Sequence, residues 1–186
     1  MTQTKEYASQ IIGELTQVMG ALSEPQSASL IQHILQANNI FVAGAGRSGL
    51  MMTGFAMRLM HLNLSAYVVG QPVTPRFESG DLLFIGSGSG ETQSLVSMAE
   101  KAKRLGGAIA LVTTTPASTI GQIAEVVIQL HAQPKQGSND HSMTIQPMGS
   151  LFEQSLLLYC DALVLSLMEL RGVTSSAMFQ RHANLE

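Results

Sequence analysis

Between Thr4 and Leu22 the apolar residues Tyr7, Ile11, Ile12, Leu15, Val18, Met19 and Leu22 recur at spacings of three and four, which predicts an amphipathic helix. Pro25 suits the first turn of a second helix carrying Leu30, Ile31, Ile34 and Leu35, with His33 packed beside that stripe. From residue 40 the period changes. Short apolar runs at Ile40 to Ala43, Ser65 to Val69, Leu82 to Ile85, Ala108 to Thr113 and Val126 to Leu130 read as five strands. Helical segments at about Leu50 to His61, Gln93 to Leu105 and Ser118 to Ala124 fall between them. Strands that are apolar throughout and alternate with helices imply a parallel sheet covered on both faces. A polar stretch over 131–146, with Pro134, Gly137, Ser138 and Asn139, predicts a loop, and Pro147 then opens a long last helix to about Leu170. The expected fold is α/β, a three-layer sandwich with a five-stranded parallel sheet in the order 2-1-3-4-5. One domain is expected, with N-terminal helices over 1–39, the sheet core and long helix over 40–170, and a C-terminal tail over 171–186.

Composition changes this picture in one respect. Hydrophobic residues make up 45% of the 186 positions and charged ones only 12%, against about 25% charged in a typical soluble protein. So little polar surface points to self-association. A net charge of −3 with 10 Lys and Arg argues against nucleic acid as a partner. The single cysteine, Cys160, excludes an internal disulfide and a zinc site of Cys type, and no metal is expected. No basic-then-apolar leader opens the chain. The apolar stretch from Leu151 to Leu170 is broken by Glu153, Asp161 and Glu169, so it is read as a buried helix and not a membrane span, with Asp161 satisfying a buried partner. A cytoplasmic protein is expected. The 11 methionines, including Met51, Met52, Met57 and Met60, read as adaptable core or interface filling.

Candidate chemistry concentrates after the third strand, in Gly86-Ser87-Gly88-Ser89-Gly90-Glu91-Thr92. Glycines permit a tight turn and close approach of a ligand to the main chain. The N–H groups at the start of the next helix favour an anion, and Ser87, Ser89 and Thr92 add three hydroxyl donors. The plainer reading is a helix cap at Ser89 or Gly90, with Glu91 answering the dipole; a cap needs one hydroxyl, and three are present. A phosphate cradle follows, with Gly88 and Gly90 in its backbone and Glu91 turned to solvent. A second glycine turn, Gly44-Ala45-Gly46-Arg47-Ser48-Gly49, follows the first strand. With order 2-1-3-4-5 both turns sit where the strand order reverses, so Ser48 should face Ser87, Ser89 and Thr92 across one crevice. Gly44, Gly46 and Gly49 also fit the dinucleotide fingerprint, but the required acid about 20 residues on is missing.

The Arg47-Ser48 turn and the Ser87 to Thr92 turn resemble the sugar isomerase (SIS) domain. Four further segments narrow the resemblance: Ala56-Met57-Arg58-Leu59-Met60-His61-Leu62, Val73-Thr74-Pro75-Arg76, Pro147-Met148-Gly149-Ser150-Leu151-Phe152-Glu153 and Asp161-Ala162-Leu163-Val164. Together they are similar to the 6-phospho-3-hexuloisomerases of that family, over about Ile40 to Met168. The resemblance implies a flavodoxin-like SIS fold and a ketose isomerase, converting D-arabino-3-hexulose 6-phosphate to fructose 6-phosphate in the ribulose monophosphate route of formaldehyde fixation. It also implies a homotetramer without cofactor, phosphate ligands at Ser48, Ser87, Ser89 and Thr92, and catalytic candidates at His61 and Glu153.

The residues leave alternatives beside these roles. Glu153 near the start of an apolar helix suits a general base, yet Ser150-x-x-Glu153 also reads as a capping box. His61, thirteen residues after Ser48, lies about 20 Å along one helix. It is therefore either structural or completes a neighbouring subunit's site. Arg47 is either a substrate contact or a partner for an acid at a subunit contact. Arg58 reads as a surface or interface residue, and His131, His141 and His182 as solvated. Isomerases of heptose or arabinose phosphates and a non-catalytic phosphosugar sensor remain as other functions on the same scaffold.

Overall fold

The computed structural model describes residues 3–132 and 144–185. Two N-terminal helices, α1 (Thr4–Gly20) and α2 (Glu24–Gln36), form where the apolar stripes predict them. The sheet comprises β1 (Ile40–Gly44), β2 (Ala66–Val68), β3 (Leu82–Gly86), β4 (Ala108–Thr113) and β5 (Val126–Gln129). Between the strands lie α3 (Gly46–His61), α4 (Gln93–Arg104) and α5 (Thr119–Ile123); α6 (Ser150–Arg171) and α7 (Ser175–Phe179) close the chain. Of the polar loop expected over 131–146, residues 133–143, His141 among them, lie outside the described residues.

All strand pairs are parallel and the order is β2-β1-β3-β4-β5, the expected α/β architecture. Successive side chains on a strand point to opposite faces. Ile40, Val42, Leu82, Phe84, Ala110 and Val112 pack with α1, α2, α3 and α6. Phe41, Ala43, Leu83, Ile85, Ile109 and Leu111 pack with α4 and α5. Both faces are covered, which is why the strands read as unbroken apolar runs. β1 and β3 stay in register from Ile40 beside Leu82 to Gly44 beside Gly86. The two glycine turns therefore leave the sheet side by side.

α3 begins at Gly46, four residues before the expected start. Gly46 takes φ of +58°, and a Cβ on Gly49 would lie 2.7 Å from the Gly44 carbonyl oxygen. The three glycines of the fingerprint thus serve a turn and a helix packed hard onto a strand. Nucleotide binding is not needed to explain them.

α6 buries Leu151, Phe152, Leu156, Tyr159, Cys160, Leu163, Val164 and Leu167. It is long and apolar enough to cross a membrane, and 56% of its apolar window is buried within the protein. The buried partner expected for Asp161 is not found: Asp161 lies exposed, on the same side of the helix as exposed Leu158 and Leu165. α6 packs beside α3, which exposes Leu50, Met57 and Met60. The tail expected over 171–186 carries a short helix. Gly172 turns the chain with φ of +62°, Thr174 caps α7 by accepting from the Ala177 N–H at 3.2 Å, and Val173 and Met178 pack on the core.

Gly49→Ala is expected to destabilise the fold by about 1–3 kcal/mol, because backbone must shift to admit one methyl. Gly13→Ala, in exposed α1 with nothing within 4 Å of a new Cβ, is expected to stabilise by about 0.5–1 kcal/mol. Urea denaturation midpoints at unchanged m-value check both.

Candidate active site

At the carboxyl ends of β1 and β3, where the strand order reverses, the two turns open a crevice of about 580 Å³. Ser48 enters it from the first turn of α3, and Ser87, Gly88, Ser89 and Thr92 from the β3–α4 turn. Phe152 and Glu153 enter from the first turn of α6. Within the turn, the Gly90 N–H donates to Ser87 Oγ and the Glu91 N–H to Ser89 Oγ, both at 3.2 Å. A hydroxyl that accepts in this way still has its own proton to donate. The turn thus uses the acceptor side of both serines to hold its shape and leaves the proton of each hydroxyl available to donate.

Gly90 itself does not line the crevice. It lies beneath the turn with φ of +64°, where a Cβ would come within 2.0 Å of Ser118 Oγ. The helix cap is Thr92, not Ser89 or Gly90. Glu91 sits exposed on the rim and its carboxylate accepts from the Thr119 N–H at 2.6 Å and Thr119 Oγ1 at 2.8 Å. Those bonds, the backbone one first, hold its pKa below the ordinary value. From below, the Gly88 carbonyl accepts from Thr113 Oγ1 at 2.9 Å, Thr114 Oγ1 at 2.7 Å and the Thr114 N–H at 3.0 Å. Thr115, also from this run, lines the crevice. The sequence reading missed these threonines; their signal was three consecutive hydroxyls at the carboxyl end of the strand beside the switch point.

Glu153 is 4% exposed, and its Oε2 accepts from Arg47 Nη1 at 3.0 Å. Arg47 is half-exposed and meets the crevice through this ion pair, not as part of its wall. The two candidates read separately from the sequence are partners within one chain. The capping-box geometry fails because Gly149 is the N-cap and Ser150 lies inside the helix. Met148, with φ of +57°, sets that entry into α6. Among the described residues, no three of His, Cys, Asp and Glu converge as a metal site would need.

The sequence matches the model of the SIS domain over residues 33–158. The chain belongs to the SIS domain family. It is 51% identical to the 3-hexulose-6-phosphate isomerase of Bacillus subtilis (strain 168), over 99% of this chain and 100% of that one. Identity to the enzyme of the same name from Mycobacterium gastri is 41%, covering 93% of this chain and 86% of the other. A crystal structure of a hypothetical protein from Methanococcus jannaschii, inferred there to be a 3-hexulose-6-phosphate isomerase, superposes with a TM-score of 0.82 at 33% identity and full coverage of both chains.

His61 stands apart from the crevice of this SIS chain. It is the last residue of α3, is 3% exposed and is not among the crevice residues. Its ring stacks on His182 with centroids 5.6 Å apart and 23° between planes, and Nδ1 lies 3.5 Å from Arg58 Nη1. His182 is therefore not a simply solvated tail residue: the turn at Gly172 and α7 bring it back over the end of α3. Burial first, then the positive charges of Arg58 and His182, lower the His61 pKa below its usual 6.5. A folded state that binds this proton less tightly than the unfolded state loses stability as pH falls below about 6.5. His61→Gln should therefore be less sensitive than the wild type to a change from pH 7.5 to 5.5, measured as the shift in urea midpoint. An unchanged shift would remove His61 from the acid response.

Proposed function

We propose that this SIS protein is a phosphosugar isomerase that converts D-arabino-3-hexulose 6-phosphate to fructose 6-phosphate through a 2,3-enediol. The observation that carries the reading is one crevice shared by a hydroxyl-lined, lysine-free anion cradle and the buried carboxylate of Glu153. The relatives named 3-hexulose-6-phosphate isomerase support the substrate.

In this reading Ser48, Ser87, Ser89 and Thr92 hold the phosphate by O–H donors, together with the N–H groups of the turn at Gly88 and the start of α4. The Glu153 carboxylate takes the proton from C2. The enediol forms as the C3 carbonyl oxygen gains a proton, and the C2 hydroxyl gives one up as the new carbonyl forms. Glu153 then returns its proton to C3. One carboxylate serves both transfers, since neighbouring carbons present their protons within reach of the same oxygen. Burial against Phe152 limits water and strengthens each electrostatic contact. Arg47 pairs with the Glu153 carboxylate at 3.0 Å before substrate arrives, and the incoming phosphate competes for its guanidinium.

His61 cannot reach the crevice of its own chain, about 20 Å back along α3. We place it in the site of a neighbouring subunit, within a homotetramer whose contacts cover the exposed apolar residues of α3 and α6. The lowered pKa keeps its imidazole neutral near pH 7, able to donate a hydrogen bond to the carbonyl or enediol oxygens. A cytoplasmic setting accords with a phosphorylated intermediate and with the free, buried thiol of Cys160. A heptose or arabinose phosphate isomerase would need a different substrate preference, and a sensor would have no turnover.

Glu153→Gln should lower kcat by about 10²–10⁴-fold while fructose 6-phosphate binding, measured by calorimetry, is retained. Absence of turnover in the wild type, assayed as fructose 6-phosphate formed from the 3-hexulose phosphate, would overturn the isomerase assignment. Mixing His61→Ala subunits with Glu153→Gln subunits should restore part of the activity, because some sites then hold an intact His61 and an intact Glu153. Mixed tetramers as inactive as their parents would exclude a shared site.

A further inference from the structure

We propose that Glu14, on α1 and outside the SIS match at 33–158, is a positioning residue for the Glu153 carboxylate. It acts through the segment that leads into α6, and the proposal rests on Glu153 being the base. Glu14 interrupts an apolar stripe. Ile11, Leu15 and Val18 share its face of α1, where packing alone would favour a leucine. Instead the structure puts a half-buried carboxylate there and surrounds it with donors.

Glu14 Oε2 accepts from Thr144 Oγ1 at 2.7 Å and Gln146 Nε2 at 2.8 Å, and Oε1 accepts from the Ile145 N–H at 2.8 Å. The Gln146 N–H donates to Thr144 Oγ1 at 3.0 Å. Gln146 Oε1 in turn accepts from Gln154 Nε2 at 2.7 Å. Gln154 follows Glu153 directly, just past the first turn of α6. Two side chains and one backbone group of the segment thus depend on one carboxylate, and a further bond carries the restraint onto the start of the helix that bears Glu153.

Thr144 and Gln146 are buried, at 6% and 8% exposure. Buried donors that lose their acceptor carry the full penalty of desolvation, so the segment has no equivalent resting place without Glu14. Only Pro147, Met148 and Gly149 separate it from α6, and Met148 is held at positive φ. Burial works to raise the Glu14 pKa, but the bonds from Gln146, Thr144 and Ile145 outweigh it, and the carboxyl lies below its ordinary value. The clamp is therefore ionised throughout the neutral range.

A displacement of about 1 Å at a reacting group suffices to slow chemistry by as much as 10²-fold. The full-length Glu14→Gln protein should lose at least about tenfold in kcat for the 3-hexulose phosphate, with KM within about twofold, because the phosphate cradle lies on the separate β3–α4 turn and the start of α3. Hydrogen exchange should be faster at the amides of 145–150 and unchanged in the sheet. Gln146→Leu should reproduce the loss. The double variant should be no worse than the worse single one, since both break the same chain of bonds. Full kcat per folded Glu14→Gln molecule, or losses that multiply in the double variant, would overturn the proposal. A wild type without turnover, beside a Glu14→Gln variant that still shows the faster exchange, would overturn the isomerase reading instead, so the two failures are told apart.

Discussion

The register of β1 against β3 is the constraint on which the site depends. Parallel pairing that sets Gly44 beside Gly86 ends both strands at one level. Two helices then begin at the same gap, with their N–H groups and hydroxyls facing each other. A slip by one residue would exchange the side chains that β1 presents to the two covered faces. The core would be lost together with the crevice. Packing and function are in this sense held by the same hydrogen bonds.

In a chain this poor in lysine and arginine, an anion at the proposed cradle would be held by geometry more than by net charge. Backbone N–H groups, serine and threonine hydroxyls and helix N-termini lose little solvation compared with a buried ammonium, and the close approach of Gly49 to Gly44 brings them near. The turn is stiffened from outside by Thr113 and Thr114 on Gly88, and by the contact of Gly90 with Ser118. These groups sit beneath the cradle and keep its donors aimed without occupying it.

The carboxylate comes from a third direction. α6 crosses behind the sheet and brings Glu153 to the crevice from residues remote in sequence, and Arg47 at the start of α3 meets it there. The segment before α6 is tied to α1 through Glu14. The helices of the N-terminal extension, the central sheet and the last helix therefore meet around one carboxyl group. At the opposite end of α3, His61 and His182 stack away from that centre, beside the apolar residues the single chain leaves exposed.

The strand order 2-1-3-4-5, which brings Ser48 to the same crevice as Ser87, Ser89 and Thr92, is a long-range pairing that periodicity does not supply, but the local patterns of the chain sufficed for the five strands and the two hydroxyl-bearing glycine turns. Each of these follows from periodicity or from turn chemistry, which short stretches carry within themselves. The start of α3 escaped that reading because the closeness of Gly44 to Gly49 is a contact across a turn. Gly90, read as part of the cradle's backbone, lies where the turn fits over Ser118, and Asp161, expected to satisfy a buried partner, is exposed. α7, the return of His182 to His61, the meeting of Arg47 with Glu153 and the hold of Glu14 on Gln146 all join residues far apart in the chain. Side-chain type and spacing determine what an element is and which way it faces; which distant side chain it meets is decided only when packed layers leave one low-energy arrangement, and that information belongs to the tertiary structure.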